Sequence, residues 1–203
     1  MDRHYTPLLL ELLASFPCVA IIGARQCGKT TLLGQLPTDW RIFDLEKGDD
    51  QEVITRDPDL FLRLHPTQTA IDECQLFPAL FAALRVAIEA DRNKSGRFVI
   101  TGSSSPELLH SVSESLAGRV AIIELAPFSL AESFSHVPSK FFQLTADRSS
   151  VNAYLELKPR IDLKSLHDYW FRGGYPEPWI KNQQRFSKFW NDNYVQTYPE
   201  RDV

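Results

Sequence analysis

The sequence predicts an α/β fold: a parallel sheet covered on both faces by helices, with a phosphate-binding loop at the carboxyl end of its first strand. Three observations predict it. Short apolar runs alternate with helical stretches between residues 19 and 125. The run Gly-Ala-Arg-Gln-Cys-Gly-Lys-Thr at 23–30 follows directly on the first apolar run. An acidic pair, Asp72-Glu73, closes another such run.

Leucine-rich Pro7 to Phe16 reads as a helix closed by Pro17. Val19-Ala20-Ile21-Ile22 ends at Gly23 and reads as a buried parallel strand. Thr31 to Leu36 is a short helical pattern stopped by Pro37. Further strands are expected at 40–45, 69–72, 98–101 and 120–125. Leu76 to Asp91 carries Leu76, Phe77, Leu80, Phe81, Leu84 and Ile88 at helical spacing. Pro106 to Leu116 is a second helix, with Ser104 or Ser105 as N-cap and Pro106 in its first turn. Ligands in such sheets sit at the carboxyl ends of the strands, which is where the 23–30 loop lies. Composition changes after about Phe134. Residues 136–160 read as a polar connector, with a short strand expected near Ala153–Leu157. Leu163 to Arg172 is helical and ends at Gly173-Gly174. A last helix from Gln184 to Tyr198 carries the stripe Phe186, Phe189, Trp190, Tyr194 and Tyr198, a pattern that usually signals core packing. The expected division is therefore a nucleotide-binding domain over 1–135, a connector over 136–160 and a small helical region over 161–203.

The loop fits the pattern G-x-x-x-x-G-K-[ST]. At average residue usage it arises by chance in only about one chain in a hundred of this length, so chance is a poor account of it. Gly23 and Gly28 allow positive φ and close backbone approach, which turns successive N–H groups of Ala24, Arg25, Gln26 and Cys27 toward phosphate oxygens. The helix start behind them, with Thr31, adds partial positive charge. Lys29 is expected to bridge the β- and γ-phosphates, and the Thr30 hydroxyl to ligate Mg²⁺. A mere Gly-containing turn would require neither Lys29 nor Thr30.

In a phosphate-loop enzyme a strand-end aspartate holds Mg²⁺, and a glutamate beside it activates the attacking water. Asp72 and Glu73 are expected in those roles, although acidic pairs also cap helices. Phe98-Val99-Ile100-Thr101-Gly102-Ser103-Ser104 ends a buried-type strand in hydroxyls. Ser103, with Ser104 as second choice, is placed to contact the γ-phosphate; a serine turn leading into a capped helix is the plainer alternative. Arg119, after Gly118, is a candidate for stabilising charge on the γ-phosphate of its own or a neighbour's nucleotide. Arg25 more often points away from the phosphates.

The 203 residues carry 43% hydrophobic residues and a net charge of −4. That composition suits a globular protein and offers no basic stripe for nucleic acid. No apolar stretch reaches membrane-spanning length, and the N-terminus lacks a signal-peptide plan. Cys18, Cys27 and Cys74 form no metal or redox spacing and suggest a reducing cytoplasm.

Together, Gly-Ala-Arg-Gln-Cys-Gly-Lys-Thr-Thr-Leu, Ile-Asp-Glu-Cys-Gln, Thr-Gly-Ser-Ser-Ser, Ser-Leu-Ala-Gly-Arg, Pro127-Phe128-Ser129, Gly173-Gly174-Tyr175-Pro176-Glu177 and the final Tyr-Pro-Glu-Arg-Asp-Val run in order. This set resembles the prokaryotic AAA-type ATPase family whose members carry a C-terminal domain of unknown function, DUF4143. The resemblance spans about residues 5–203. It implies a P-loop NTPase of the additional-strand, catalytic-glutamate (ASCE) type with strand order 5-1-4-3-2. It implies ATP and Mg²⁺ as ligands, Ser103 and Arg119 as ATP-sensing residues, and a small helical lid around Gly173–Glu177 beside the nucleotide. Family members continue past Arg-Asp-Val, so the C-terminal domain is expected to be absent here. The 184–198 stripe is then expected to be partly exposed and to favour self-association.

Three functions follow from these readings. The first is Mg-dependent ATP hydrolysis used as a conformational switch or motor. The second is an ATP-binding module with little turnover, or a truncated fragment that docks on partners. The third is a small-molecule kinase. Against the kinase, the connector offers only Lys140, Arg148, Lys158 and Arg160, with no tight arginine cluster.

Overall fold

A computed structural model of the chain describes residues 3–137, 139–148 and 150–197. The chain folds into two compact units, Tyr5–Ala126 and a second made of Pro127 onward together with the N-terminal residues up to His4.

In the first unit, strands β1 (Cys18–Ile22), β2 (Arg41–Asp44), β3 (Thr69–Asp72), β4 (Phe98–Gly102) and β5 (Val120–Glu124) form one sheet in the order β2-β3-β4-β1-β5. Every pairing is parallel. This is the expected order 5-1-4-3-2 read from the other edge. Strands β1, β3 and β4 are buried at every position, as central strands covered on both faces must be. Strand β2 lies at one edge and exposes Arg41 and Ile42.

Successive strand residues point to opposite faces, and the apolar residues divide accordingly. Cys18, Ala20, Ile22, Ile71, Phe98 and Ile100 face helices α4 (Pro58–Leu64), α5 (Ala79–Glu89) and α6 (Pro106–Leu116). Val19, Ile21, Ala70, Val99, Ala121 and Ile123 face α1 (Thr6–Ser15) and the short α2 (Lys29–Leu33). Helix α3 (Gly48–Arg56) leads into α4. Asp57 caps α4 by accepting from the Leu60 N–H at 2.8 Å, and Ser105 caps α6 by accepting from the Leu108 N–H. Buried Arg97 joins three segments on the side of the sheet away from the loop. Its guanidinium donates to the carbonyls of Pro66 at 3.0 Å and Ala87 at 2.8 Å, and its N–H group donates to Pro17.

The helix expected over 76–91 is interrupted. A 3₁₀ turn spans Cys74–Leu76, the chain extends at Phe77, and α5 begins at Ala79. Pro78 is the cause, because a proline disfavours helical geometry at the residue before it.

In the second unit, α7 (Leu130–Ser133) starts with a reciprocal capping box. Ser129 Oγ accepts from the Glu132 N–H at 3.2 Å, and Glu132 Oε2 accepts from the Ser129 N–H at 2.8 Å. Glu132 also accepts from Arg3 Nε at 3.0 Å and from the His4 N–H at 2.8 Å, which brings the N-terminal segment into this unit. Burial pushes the Glu132 carboxyl up. The hydrogen bonds from Ser129, His4 and Arg3 outweigh that and hold it below the usual carboxylate range. Helices α8 (Lys140–Ala146) and α9 (Val151–Leu155) occupy the stretch expected to be a connector. No strand forms at 153–157; Ala153 to Leu155 lie in α9 instead, because Ser150 is extended at the N-cap position and the following residues wind from there.

Helices α10 (Leu163–Arg172), α11 (Pro176–Lys181) and α12 (Gln184–Thr197) complete the unit. Residues 127–135 belong here rather than with the sheet. The Phe128 N–H donates to Gly174 O at 2.6 Å and Tyr169 Oη donates to Phe128 O at 2.8 Å. On α12, Trp190 and Tyr194 stack at 4.8 Å and both rings lie within 5.0 Å of Tyr175. Phe189 is 53% exposed and Val195 68%. Tyr198, expected to end the stripe, lies outside the described residues.

Candidate nucleotide site at the carboxyl edge of the sheet

The loop 23–30 leaves β1 at the carboxyl edge and runs directly into α2. Its two glycines are required for different reasons. Gly28 takes φ 100°, a left-handed value that an L side chain rarely tolerates. Gly23 needs space instead: a Cβ there would stand 2.4 Å from the carbonyl oxygen of Leu125. The expectation of positive φ thus holds for Gly28 alone of the pair, while Gln26 adopts φ 61°. The loop is tied to both neighbouring strands, since Gly23 N–H donates to Gly102 O at 3.3 Å and Leu125 N–H to Ile22 O at 2.7 Å. Cys27 is fully buried in the core beneath the loop. Ala24 is half-buried, and Arg25 and Gln26 are exposed.

Lys29 is only 5% exposed. Its Nζ donates to the carbonyls of Gly23 at 3.1 Å and Ala24 at 3.2 Å, so the ammonium is held across the mouth of the loop. The first amides of α2, at Lys29, Thr30 and Thr31, have no acceptor within the helix. They carry the partial positive charge of a helix start.

Thr30 Oγ1 donates to Asp72 Oδ2 at 2.6 Å. The second Asp72 oxygen, Oδ1, accepts from Thr101 Oγ1 and from the Glu73 N–H at 3.2 Å. Asp72 is 2% exposed, and its charge is compensated by this set of donors. Glu73 stands at the turn out of β3 with φ 57° and ψ 44°. For a residue with a side chain that conformation costs about 1–2 kcal/mol. Its N–H is held by Asp72 Oδ1 and by Thr101 Oγ1, each at 3.2 Å, and these contacts fix the strained turn. The Glu73 carboxylate accepts from Gln75 Nε2, and Gln75 Oε1 accepts from the Ser103 N–H at 3.3 Å. Ser103 is buried at the tip of β4, and Ser104 is half-buried beside it.

The structure thus brings together Gly23 to Thr31, Asp72, Glu73 and Ser103. It does not bring Arg119 to them. Arg119 immediately precedes β5, whose first residue pairs with Cys18 at the start of β1. The loop leaves the other end of β1, five residues on, or about 16 Å along the strand. Its guanidinium is ion-paired with Glu89 and donates to Ala117 O at 2.9 Å. Two residues of the site had no role assigned from the sequence. Thr101 is a polar residue in an apolar strand, and period-two alternation puts it on the face opposite Ile100. Gln75 was legible only as part of the Ile-Asp-Glu-Cys-Gln run.

Residues 15–134 match a family described as an AAA domain. The chain belongs to that family. Residues 163–203 match a second family, a domain of unknown function designated DUF8612; the link to proteins carrying DUF4143 is not shown. Among curated proteins, uncharacterized proteins of Mycobacterium tuberculosis and Mycobacterium bovis are each 34% identical to this chain over 204 residues. The alignment covers 99% of the chain and 39% of each relative, so the chain spans about two fifths of the length of the proteins it matches. Among solved structures, the Walker-type ATPase of Pyrococcus abyssi is similar with a TM-score of 0.52 at 16% identity, covering 88% of this chain and 65% of that one. This likeness shows the fold alone, an α/β architecture of the P-loop type. DnaA of Aquifex aeolicus, solved with AMPPCP, gives a TM-score of 0.48 at 11% identity over 86% of this chain and 57% of that one.

Proposed function

We propose that this AAA domain binds Mg-ATP on residues 23–31 and hydrolyses it, with the cycle of γ-phosphate binding and loss serving as a conformational switch or motor. The observation that carries the reading is the 2.6 Å contact between Thr30 Oγ1 and Asp72 Oδ2 beside the Lys29 ammonium. It places a hydroxyl from the loop and a carboxylate from the next-but-one strand on one point, where a hard cation takes oxygen ligands. Among the described residues no group of three or more His, Cys, Asp and Glu side chains gathers to hold a metal. Mg²⁺ suits such a site, because it retains waters and is completed by phosphate oxygens.

In this reading Lys29 exchanges its carbonyl partners for β- and γ-phosphate oxygens, and the amides at the start of α2 hold the remaining charge. Thr30 and Asp72 hold Mg²⁺. Glu73 takes the proton from the attacking water as the bond to the γ-phosphorus forms and the bond to the β–γ bridging oxygen breaks. The products are ADP and inorganic phosphate. Ser103 contacts the γ-phosphate. Arg119 serves only a neighbouring copy, and only after leaving Glu89. The buried cysteines Cys18, Cys27 and Cys74 agree with a reducing cytoplasm. Among the described residues no helix is long and apolar enough to cross a membrane.

The test is turnover and binding together. Glu73→Gln should lower single-turnover hydrolysis by about 100-fold or more while ATP still binds, as loss of a general base does. Lys29→Ala should abolish binding. Unchanged turnover in Glu73→Gln refutes the assigned base. ATP binding with no turnover in the wild type selects the binding-module reading instead.

A further inference from the structure

The hydrogen bonds around Glu73 fall into two sets with different reach. The main-chain set, to Asp72 and Thr101, fixes where the residue sits and leaves the carboxylate free to turn. In the side-chain set, the donor to the carboxylate is the amide of Gln75. Its Nε2 reaches Glu73 Oε2, while its Oε1 receives the Ser103 N–H at 3.3 Å. The orientation of that amide follows from chemistry: a backbone N–H can only donate, so it must face Oε1, which leaves the NH₂ group for the carboxylate. The space for this bridge is narrow. A Cβ on Gly102 would lie 2.7 Å from Gln75 Oε1. The 3₁₀ turn carrying Gln75 is itself held, with Leu76 N–H donating to Glu73 O at 3.0 Å and Cys74 Sγ to Ile71 O at 3.2 Å.

We propose that Gln75 is a positioning residue that aims the Glu73 carboxylate and couples that aim to the Ser103 end of β4, a role that rests on the reading of Glu73 as the base. One planar amide spans the gap between the tips of β3 and β4. A displacement of the Ser103 backbone on contact with the γ-phosphate moves Oε1, and the rigid amide carries the movement to Nε2 and so to Glu73. The carboxylate is thereby set according to whether the γ-phosphate is present. Without the bridge, the three side-chain torsions of Glu73 have no such restraint, and misplacement of a reacting group by about 1 Å costs on the order of 100-fold in rate.

Gln75→Glu is the informative variant. It preserves length and the acceptor for Ser103 but replaces the donor to Glu73 with a second carboxylate. Single-turnover hydrolysis should fall about 10- to 100-fold, with ATP still bound. In a Glu73→Gln background the same substitution should have no further effect on the rate, because both act through one group. In the nucleotide-free protein, Glu73→Ala should shift the Gln75 side-chain amide resonances in a ¹⁵N spectrum. Wild-type rates in Gln75→Glu, an undiminished loss in the Glu73→Gln background, or Gln75 amide resonances indifferent to Glu73→Ala would each overturn the proposal. Failure of the base assignment is read separately, from Glu73→Gln alone, and removes the Gln75 role with it.

Discussion

Thr101→Val tests whether the acidic core of the site is held as described. Valine has the shape of threonine, so packing in β4 is kept and only the hydroxyl is lost. The wild-type hydroxyl donates to Asp72 Oδ1 and accepts from the Glu73 N–H, in a place where Thr101 and Asp72 are each 2% exposed. A hydrogen bond to a charged group contributes about 1.5–3 kcal/mol. The Glu73 N–H retains Asp72, so its share is about 0.5 kcal/mol, at the low end for a neutral bond. Replacing a hydroxyl by a buried methyl returns about 0.8 kcal/mol. The expected net loss is about 2 kcal/mol, which for a unit of this size lowers the melting temperature by about 6–10 °C. Thr101→Ser keeps both contacts and gives up one buried methyl, so it should lose about 1 kcal/mol. Calorimetry on the nucleotide-free protein reads both. A Thr101→Val melting temperature within about 1 °C of wild type, or a Thr101→Ser loss equal to that of valine, refutes the reasoning.

Two further outcomes are expected. The folded-state pKa of Glu132 is depressed, so its contribution to stability is full above the ordinary glutamate value of about 4.3 and is lost as pH falls below it. Thermal melts followed by tryptophan fluorescence, which reports mainly Trp170, Trp179 and Trp190 of the second unit, should show this loss in wild type, and Glu132→Gln should flatten it. The exposed side of α12, with Phe189 and Val195, is expected to drive association as concentration rises; sedimentation should show Phe189→Glu shifting the protein toward monomer, and a wild type that stays monomeric at high concentration would sink this idea.

Much of the site was legible because its chemistry is local in sequence. The loop compresses its requirements into eight consecutive residues, and the strand before it and the helix after it follow from short apolar patterns. The acidic pair was legible once a phosphate site was in view. What the sequence concealed are contacts made through space. Gln75 meets Ser103 across two strands, and Gly23 is required by the carbonyl of Leu125, a hundred residues away in the chain. The boundary at Ala126 follows from Phe128 pairing with Gly174, which no local composition marks. Arg119 is different, because its signal was present. It precedes its strand, and in a parallel sheet the residue before a strand lies at the edge opposite the ligand site.

The Lys29 ammonium, resting on the carbonyls of Gly23 and Ala24, has a consequence for the kinetics of the proposed ATPase cycle. A loop whose ammonium is already hydrogen-bonded to its own backbone carbonyls has no need to collapse when a ligand departs. The vacated cradle stays preorganised, and the next nucleotide enters by exchanging partners with one side chain instead of rebuilding the turn. Recharging of the site should then be fast, which shifts the slow step of the cycle toward departure of the spent nucleotide.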